Sequence, residues 1–216
     1  MTEIIAEISG NHGGIIHNAM RLIREAKEAG ANAVKFQCFE PEQLAAKRAN
    51  DPYVLKLANG KPLIDLYKEI HTPKGWFPLL RDTANSAGIP WFSSVFHPDD
   101  VAFLEALSCP RYKISAFEML DGDLINAVVA TGKPIIMSVR HTDNLTILHA
   151  TKYGVKTDGP LGLSDHIPNG APRLGWTNCP VVERHICLPD VITPDREFSS
   201  TPEQFRNYVR AIRDFK

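Results

Sequence analysis

Short apolar runs of strand length recur along the chain, and nearly all stop on polar side chains. They are EIIAEIS (3–9), AVKFQ (33–37), IPWFSSVF (89–96), RYKIS (111–115), PIIMSV (134–139), LTILHA (145–150), LGLSDH (161–166) and VVERHI (181–186). Runs this short and this rich in Ile, Val, Phe and Tyr read as strands buried on both faces. Segments with helical spacing lie between the early ones. HNAMRLIREAKEAG (17–30) ends on Gly30 as a C-cap, and GWFPLLRDTANSAG (75–88) must hold Pro78 in its first turn. PDDVAFLEAL (98–107) opens on Pro and two acids, and GDLINAVVATG (122–132) keeps the helical period. In the last helix (200–215), Thr201 is the cap, Pro202 the first helical residue and Gln204 completes a capping box. The stretch from Glu40 to about Asn59 reads as polar and irregular, apart from a short helical piece at PEQLAAK.

Strands alternating with helices predict a (β/α)8 barrel of the α/β class, in one domain spanning residues 1–216. An open parallel sheet is the alternative, but polar residues at nearly every strand end favour closure. The chain sits near the floor of roughly 200 residues for such barrels. RHTDN, TKYGVKTDGP and IPNGAPRLGWTNCP are too short and too rich in Gly, Pro and Asn for crossover helices. The outer helices after strands five, six and seven are therefore expected to be shortened or missing. The barrel flank this bares is expected to be covered by another copy of the chain, a homo-oligomer.

Composition excludes several functions. A net charge of −1 offers no basic field for nucleic acid or an acidic membrane. No apolar stretch approaches the ~20 residues of a membrane helix. The start, MTEIIAEISGNHGG, has an early glutamate and no basic leader, unlike a signal peptide. Cys38, Cys109, Cys179 and Cys187 lack CxxC spacing and read as reduced thiols, which suits a cytoplasmic location.

In a (β/α)8 barrel the active site lies at the carboxyl ends of the strands. Those ends carry Glu7, Asn11 and His12; Lys35 and Gln37; Ser93 and Ser94; Lys113, Ser115 and Glu118; Ser138 and Arg140; His149, Lys152 and Tyr153; Ser164, Asp165 and His166; and Glu183 and His185. Lys35 and Lys113 are embedded within strands, and burying an unpaired ammonium costs several kcal/mol. Two of them facing one cavity call for an anion between them, and lysines with hydroxyls suit phosphate and carboxylate. A lone strand-end histidine is usually a packed core residue. His166 and His185 end adjacent strands, however, and could reach one divalent ion such as Mn²⁺. Asp165 points to the other side of its strand and is expected to brace the neighbouring loop.

The ordered motifs resemble the sialic acid (N-acetylneuraminate) synthase family. They are AEISGNHGG (6–14), AGANAVKFQ (29–37), WFSSVF (91–96), YKIS with Glu118, TGKPIIMS (131–138), LHATKY (148–153), GLSDH (162–166), VERH (182–185) and TPDREFSSTPEQF (193–205). The resemblance covers nearly the whole chain. It implies an enzyme condensing phosphoenolpyruvate with an N-acetylated hexosamine aldehyde, typically N-acetylmannosamine, to a nine-carbon 2-keto sugar acid and phosphate. It implies Mn²⁺ or Mg²⁺ held by His166 and His185. Lys35, Ser94, Lys113, Ser138 and Ser164 would then hold phosphoenolpyruvate. Glu7, Gln37, Tyr153 and Asp195 would face the sugar or the reacting centre, and either Glu7 or Glu118 would orient the water or shuttle its proton.

Some features depart from the family pattern. The family's C-terminal antifreeze-like domain has no counterpart in these residues, so a compact member is expected. SVRHT places Arg140 where the family has glycine, close to the expected phosphate. KISA leaves Ala116 at the usual serine position and Ser115 one place earlier. Tyr153-Gly154 replaces Tyr-Pro, with Lys152 near the usual Asn. Arg140 and Lys152 both add positive charge at the substrate. Another phosphoenolpyruvate- or metal-dependent aldolase, or a non-catalytic binding subunit, are the alternatives.

Overall fold

A computed structural model describes residues 2–142, 145–151, 162–168 and 179–214. Eight strands close into a barrel in sequence order: β1 (Glu3–Glu7), β2 (Ala33–Cys38), β3 (Trp91–Val95), β4 (Tyr112–Ile114), β5 (Ile135–Thr142), β6 (Leu145–Thr151), β7 (Gly162–Asp165) and β8 (Val181–His185). Closure is made by β8 pairing with β1 from Glu3↔Val181 to Glu7↔His185.

Among the described residues the α-helices are α1 (Ile16–Glu28), α2 (Pro41–Arg48), α3 (Pro52–Ala58), α4 (Leu63–Ile70), α5 (Phe77–Ser86), α6 (Pro98–Ala106), α7 (Gly122–Ala130) and α8 (Pro202–Asp214). Helix α1 buries Ala19, Leu22, Ile23 and Ala26 against the barrel. Just past its end, Gly30 adopts a φ of 95°, a left-handed conformation that glycine tolerates best. Pro78 does fall in the first turn of α5. The capping box of α8 forms as expected: Thr201 N donates to Gln204 Oε1 at 2.9 Å, and Gln204 N donates to Thr201 Oγ1 at 3.4 Å.

Two expectations change. The stretch after β2 is not irregular, for α2, α3 and α4 fold there around Phe39, Leu44, Val54, Ala58, Leu63 and Tyr67. Each of these helices is only seven or eight residues long. Their order comes from this small apolar cluster rather than from propensity. Strand direction is the second change. Seven strands run parallel, but β6 is antiparallel to both β5 and β7. Thr142 pairs with Leu145, so only residues 143–144 connect β5 to β6. A parallel crossover needs a dozen or more residues, so so short a link forces a hairpin. The outer helix after strand five, expected to be shortened or missing, is therefore missing. The connections from β6 to β7 and from β7 to β8 run largely outside the described residues.

Behind β7 and β8, on the outside of the barrel, lies a buried ion pair. Arg184 Nη1 sits 3.2 Å from Asp165 Oδ2, and Arg184 Nε donates to Ser200 Oγ at 3.0 Å. Arg184 Nη1 also donates to the Ile167 carbonyl at 2.8 Å, and Ile167 N donates to Asp165 Oδ1 at 2.9 Å. Asp165 thus braces the loop that carries His166, as its strand parity predicts.

Candidate active site

Alternation along each strand decides what enters the barrel. Period-two pleating puts Glu183 and His185 on one face of β8 and Arg184 on the other. The same rule points Lys35 inward from β2 while Val34 and Phe36 pack outward. Register then stacks the inward residues. Glu7 lies beside both Lys35 and His185, Ser94 beside Gln37 and Lys113, and Ser164 beside Glu183.

Among the described residues, the interior brings together the buried Lys35, Lys113, Glu7 and Glu183. Lys35 forms an ion pair with Glu7 and donates to Ser94 Oγ at 2.9 Å. Its Nζ also lies 3.5 Å from Glu183 Oε2. Lys113 Nζ donates to Glu183 Oε1 at 2.6 Å, and Ser164 Oγ donates to the same oxygen at 2.8 Å. Glu7 is held from behind by the Ser9 N–H at 2.7 Å. The anion that the two lysines were expected to require is thus already supplied by the protein. Sequence reasoning placed Glu183 at a strand end but did not bring it into the site. Its signal was the alternation Glu183–His185, which puts both on the inner face.

Burial pushes the Lys35 ammonium down to about 7, against the pull of Glu183 and with the push of Lys113. Burial also opposes the charge of Glu183, but Lys113 and Lys35 outweigh it and hold that carboxyl well below the usual range. Lys35 is therefore poised between its two forms near neutral pH, whereas Glu183 is ionised.

At the mouth, the His166 and His185 rings lie 5.1 Å apart, centroid to centroid, at 53°. Phe198 presents an edge to both, at 5.4 and 5.0 Å. Asp195 Oδ2 lies 3.6 Å from His185 Nδ1. Burial, and then the neighbouring His166, hold His185 well below the ordinary imidazole range, which favours its neutral form. Burial raises the Asp195 carboxyl, although the Ser9 hydroxyl and the Gly10 N–H offset part of this. Among the described residues no set of three or more His, Cys, Asp and Glu side chains is arranged to hold a metal.

The remaining predicted residues divide. Ser138 is buried on β5, next to a bulge between Ser138 and Arg140. Gln37 is half-buried, two residues beyond Lys35 on the same face. Glu118 and Ser115 do not join the lysines. The Glu118 carboxylate is bound by Arg48 from α2 and by the Ser115 hydroxyl, with Lys47 at 4.0 Å. Arg48, buried beside it, escaped sequence reasoning because it stands 70 positions away. The side chains of Arg140 and His149, and residues Lys152 and Tyr153 altogether, lie outside the described residues. The carboxyl end of β6, which precedes Lys152, pairs with Ile135 at the start of β5. It is therefore at the opposite end of the barrel from the mouth, because β6 is reversed.

Asn11 and His12 are structural. Asn11 Nδ2 donates to the Ile186 carbonyl and Ser199 Oγ, and its Oδ1 accepts from Thr193 Oγ1 at 2.6 Å, tying the β1 loop to the β8 loop. His12 Nδ1 accepts from Gly14 N at 3.0 Å, while burial pushes its pKa down to about 4.

A closed, mostly parallel α/β barrel with a lysine–carboxylate cluster beneath two histidines belongs to the class of α/β barrels that carry a charged interior at their strand ends. Within that class the chain belongs to the NeuB family, whose model matches residues 22–153. It is 30% identical to the pseudaminic acid synthase of Helicobacter pylori over 249 residues, covering 98% of this chain and 73% of that protein. It is 28% identical to the N,N'-diacetyllegionaminic acid synthase of Legionella pneumophila, covering 98% and 71%. A crystal structure of N-acetylneuraminic acid synthetase from Leptospira borgpetersenii, in complex with citrate, superposes with a TM-score of 0.80 at 21% identity, covering 99% and 83%. No described helix is long and apolar enough to cross a membrane.

Proposed function

We propose that the protein is a sugar acid synthase. It condenses phosphoenolpyruvate with the aldehyde form of an N-acetylated hexosamine, giving a nine-carbon 2-keto sugar acid and inorganic phosphate. N-acetylmannosamine, or a relative leading to pseudaminic or legionaminic acids, is the acceptor. The observation that carries this reading is the cluster of Lys35, Lys113, Ser94 and Ser164 deep in the barrel. Two cations and two hydroxyls inside an apolar shell fit one small, multiply charged substrate. The names of the relatives supply the sugar class.

In this reading Lys35 and Lys113 compensate the phosphate and carboxylate, with Ser94, Ser138 and Ser164 as hydroxyl donors. Carbon 3 of phosphoenolpyruvate bonds to the aldehyde carbon, and the aldehyde oxygen takes a proton. Water adds at carbon 2, and the tetrahedral centre expels phosphate with its bridging oxygen. Glu7 lies next to both Lys35 and His185 in register, so it is the carboxylate that orients the water and accepts its proton. Glu118 is a positioning residue, since Arg48 and Ser115 occupy it.

His166 and His185 fit a divalent ion such as Mn²⁺ or Mg²⁺, with the remaining positions left to water and substrate oxygens. Such an ion would supply Lewis acidity toward the aldehyde oxygen. The test is an incubation with Mn²⁺, phosphoenolpyruvate and a panel of N-acetylated hexosamines, following phosphate release. Release dependent on one of these sugars is expected. Release with unrelated aldehydes only would overturn the assignment.

A further inference from the structure

Inside the barrel Lys35 and Lys113 face Glu7 and Glu183, two basic groups against two acidic ones. Glu7 has its own anchor in the Ser9 N–H and sits at the strand end. Glu183 differs. Its side chain crosses from β8 to β4, on the far side of an eight-stranded barrel, to reach Lys113. It also takes the Ser164 hydroxyl and approaches Lys35. Lys113, Ser164 and Lys35 are three of the five side chains that the proposed reaction needs for phosphoenolpyruvate. A carboxylate of the protein thus stands where the substrate's oxyanion would bind.

We infer that Glu183 is a built-in counter-anion, which an incoming oxyanion must displace from Lys113 and Ser164. This rests on the reading of the lysine cluster as the oxyanion site. The reason is electrostatic. A multiply charged anion placed between the two lysines with Glu183 unmoved would put a second negative charge beside a buried carboxylate, in surroundings that screen poorly. With Glu183 withdrawn, the same lysines hold the substrate instead. The exchange has two consequences. The lysines are never left as a bare buried pair. A singly charged anion gains too little to dislodge Glu183, whereas a doubly charged one gains enough, so the residue sets a charge threshold for entry. Glu183 is in this sense a specificity-determining residue.

The test is calorimetric titration of the full chain with sulfate at pH 6, a dianion that does not change its own protonation near neutral pH. Glu183→Gln is nearly isosteric and removes the competing charge. It should bind sulfate at least about tenfold more tightly than the unaltered protein, a gain of about 1.4 kcal/mol. Glu183→Asp, which keeps the charge but draws it back by one methylene, should also bind more tightly, and it serves if the Gln variant does not fold. Unchanged or weaker sulfate binding in the folded variant would overturn the inference. Lys113→Gln separates this from the underlying reading. If Lys113→Gln binds sulfate as well as the unaltered protein, the cluster is not the oxyanion site. If it loses sulfate while the Glu183 variants gain none, only the counter-anion role falls.

Discussion

Replacing Arg184 by Met should destabilise the fold severely, and the size of the loss follows from the contacts. The guanidinium sits 3.2 Å from the Asp165 carboxylate, and the two side chains are 1% and 0% exposed. It also donates to Ser200 Oγ and to the Ile167 carbonyl, and lies 5.6 Å from the ring of Tyr208 in α8. Met fills much of the volume but leaves a carboxylate with its cation gone and two oxygens without their donor. Removing one member of a buried pair costs about 3–5 kcal/mol. At these exposures little of that is lost to solvent screening. A domain's whole stability is about 5–15 kcal/mol, so a large share disappears. Arg184→Met combined with Asp165→Asn should recover part of the loss, because no charge is then stranded. Urea unfolding should show a lower midpoint with unchanged slope. Because Asp165 and Ile167 flank His166, Mn²⁺ affinity should fall as well, by about tenfold, the size seen when outer-shell support of a ligand is lost. A loss below about 1 kcal/mol for Arg184→Met would refute the claim that this pair is a desolvated brace.

Other outcomes follow from the same geometry. Lys35 carries a proton below pH 7 and loses it above in the free protein, so sulfate or phosphoenolpyruvate affinity should weaken as pH rises through about 7. The stability sign is opposite. The folded form holds fewer protons than the unfolded form from about pH 7 up to the ordinary lysine value, so this residue's contribution to stability rises with pH across that window, as pH-dependent urea midpoints would show. His166→Ala should abolish metal-dependent turnover while leaving the fold intact by circular dichroism, and full activity in that variant would sink the metal pair. Glu118→Gln takes the nearer carboxylate from Arg48, leaving Asp51 at 3.7 Å, and should cost about 1–3 kcal/mol in urea unfolding with a less than tenfold loss in kcat. Glu7→Gln should lower kcat by about a hundredfold or more. Equal kcat losses in the two would refute the distinction drawn between these carboxylates.

Much of the barrel was legible because its information is local. Lys35 stands in a run of residues with no turn signal, and Thr201 and Gln204 spell out a cap within four positions. Direction was not legible for β6, since periodicity is the same whichever way a strand runs. Only the two-residue link after Thr142 betrays it. The helices α3 and α4 hid behind prolines and the Asn59–Gly60 turn, which suggest loop until Val54, Leu63 and Tyr67 are seen to share a cluster with Phe39. The site was readable as a ring of polar strand ends, but not as pairs. Parity shows that Glu183 faces inward. That it reaches across to Lys113 depends on barrel diameter, which no local pattern carries. Glu118 is the converse case: its motif suggested chemistry, and its partner Arg48 lies too far along the chain to be paired by eye.

In the proposed reaction this barrel makes a carbon–carbon bond to carbon 3 of phosphoenolpyruvate. Phosphoenolpyruvate labelled with carbon-13 at carbon 3 should be incubated with the protein, Mn²⁺ and N-acetylated hexosamines, and the products resolved by NMR. The label is predicted to appear at carbon 3 of a nine-carbon 2-keto acid, with one phosphate released per label transferred. Label found only in unreacted phosphoenolpyruvate or in pyruvate, across the whole sugar panel, would contradict it.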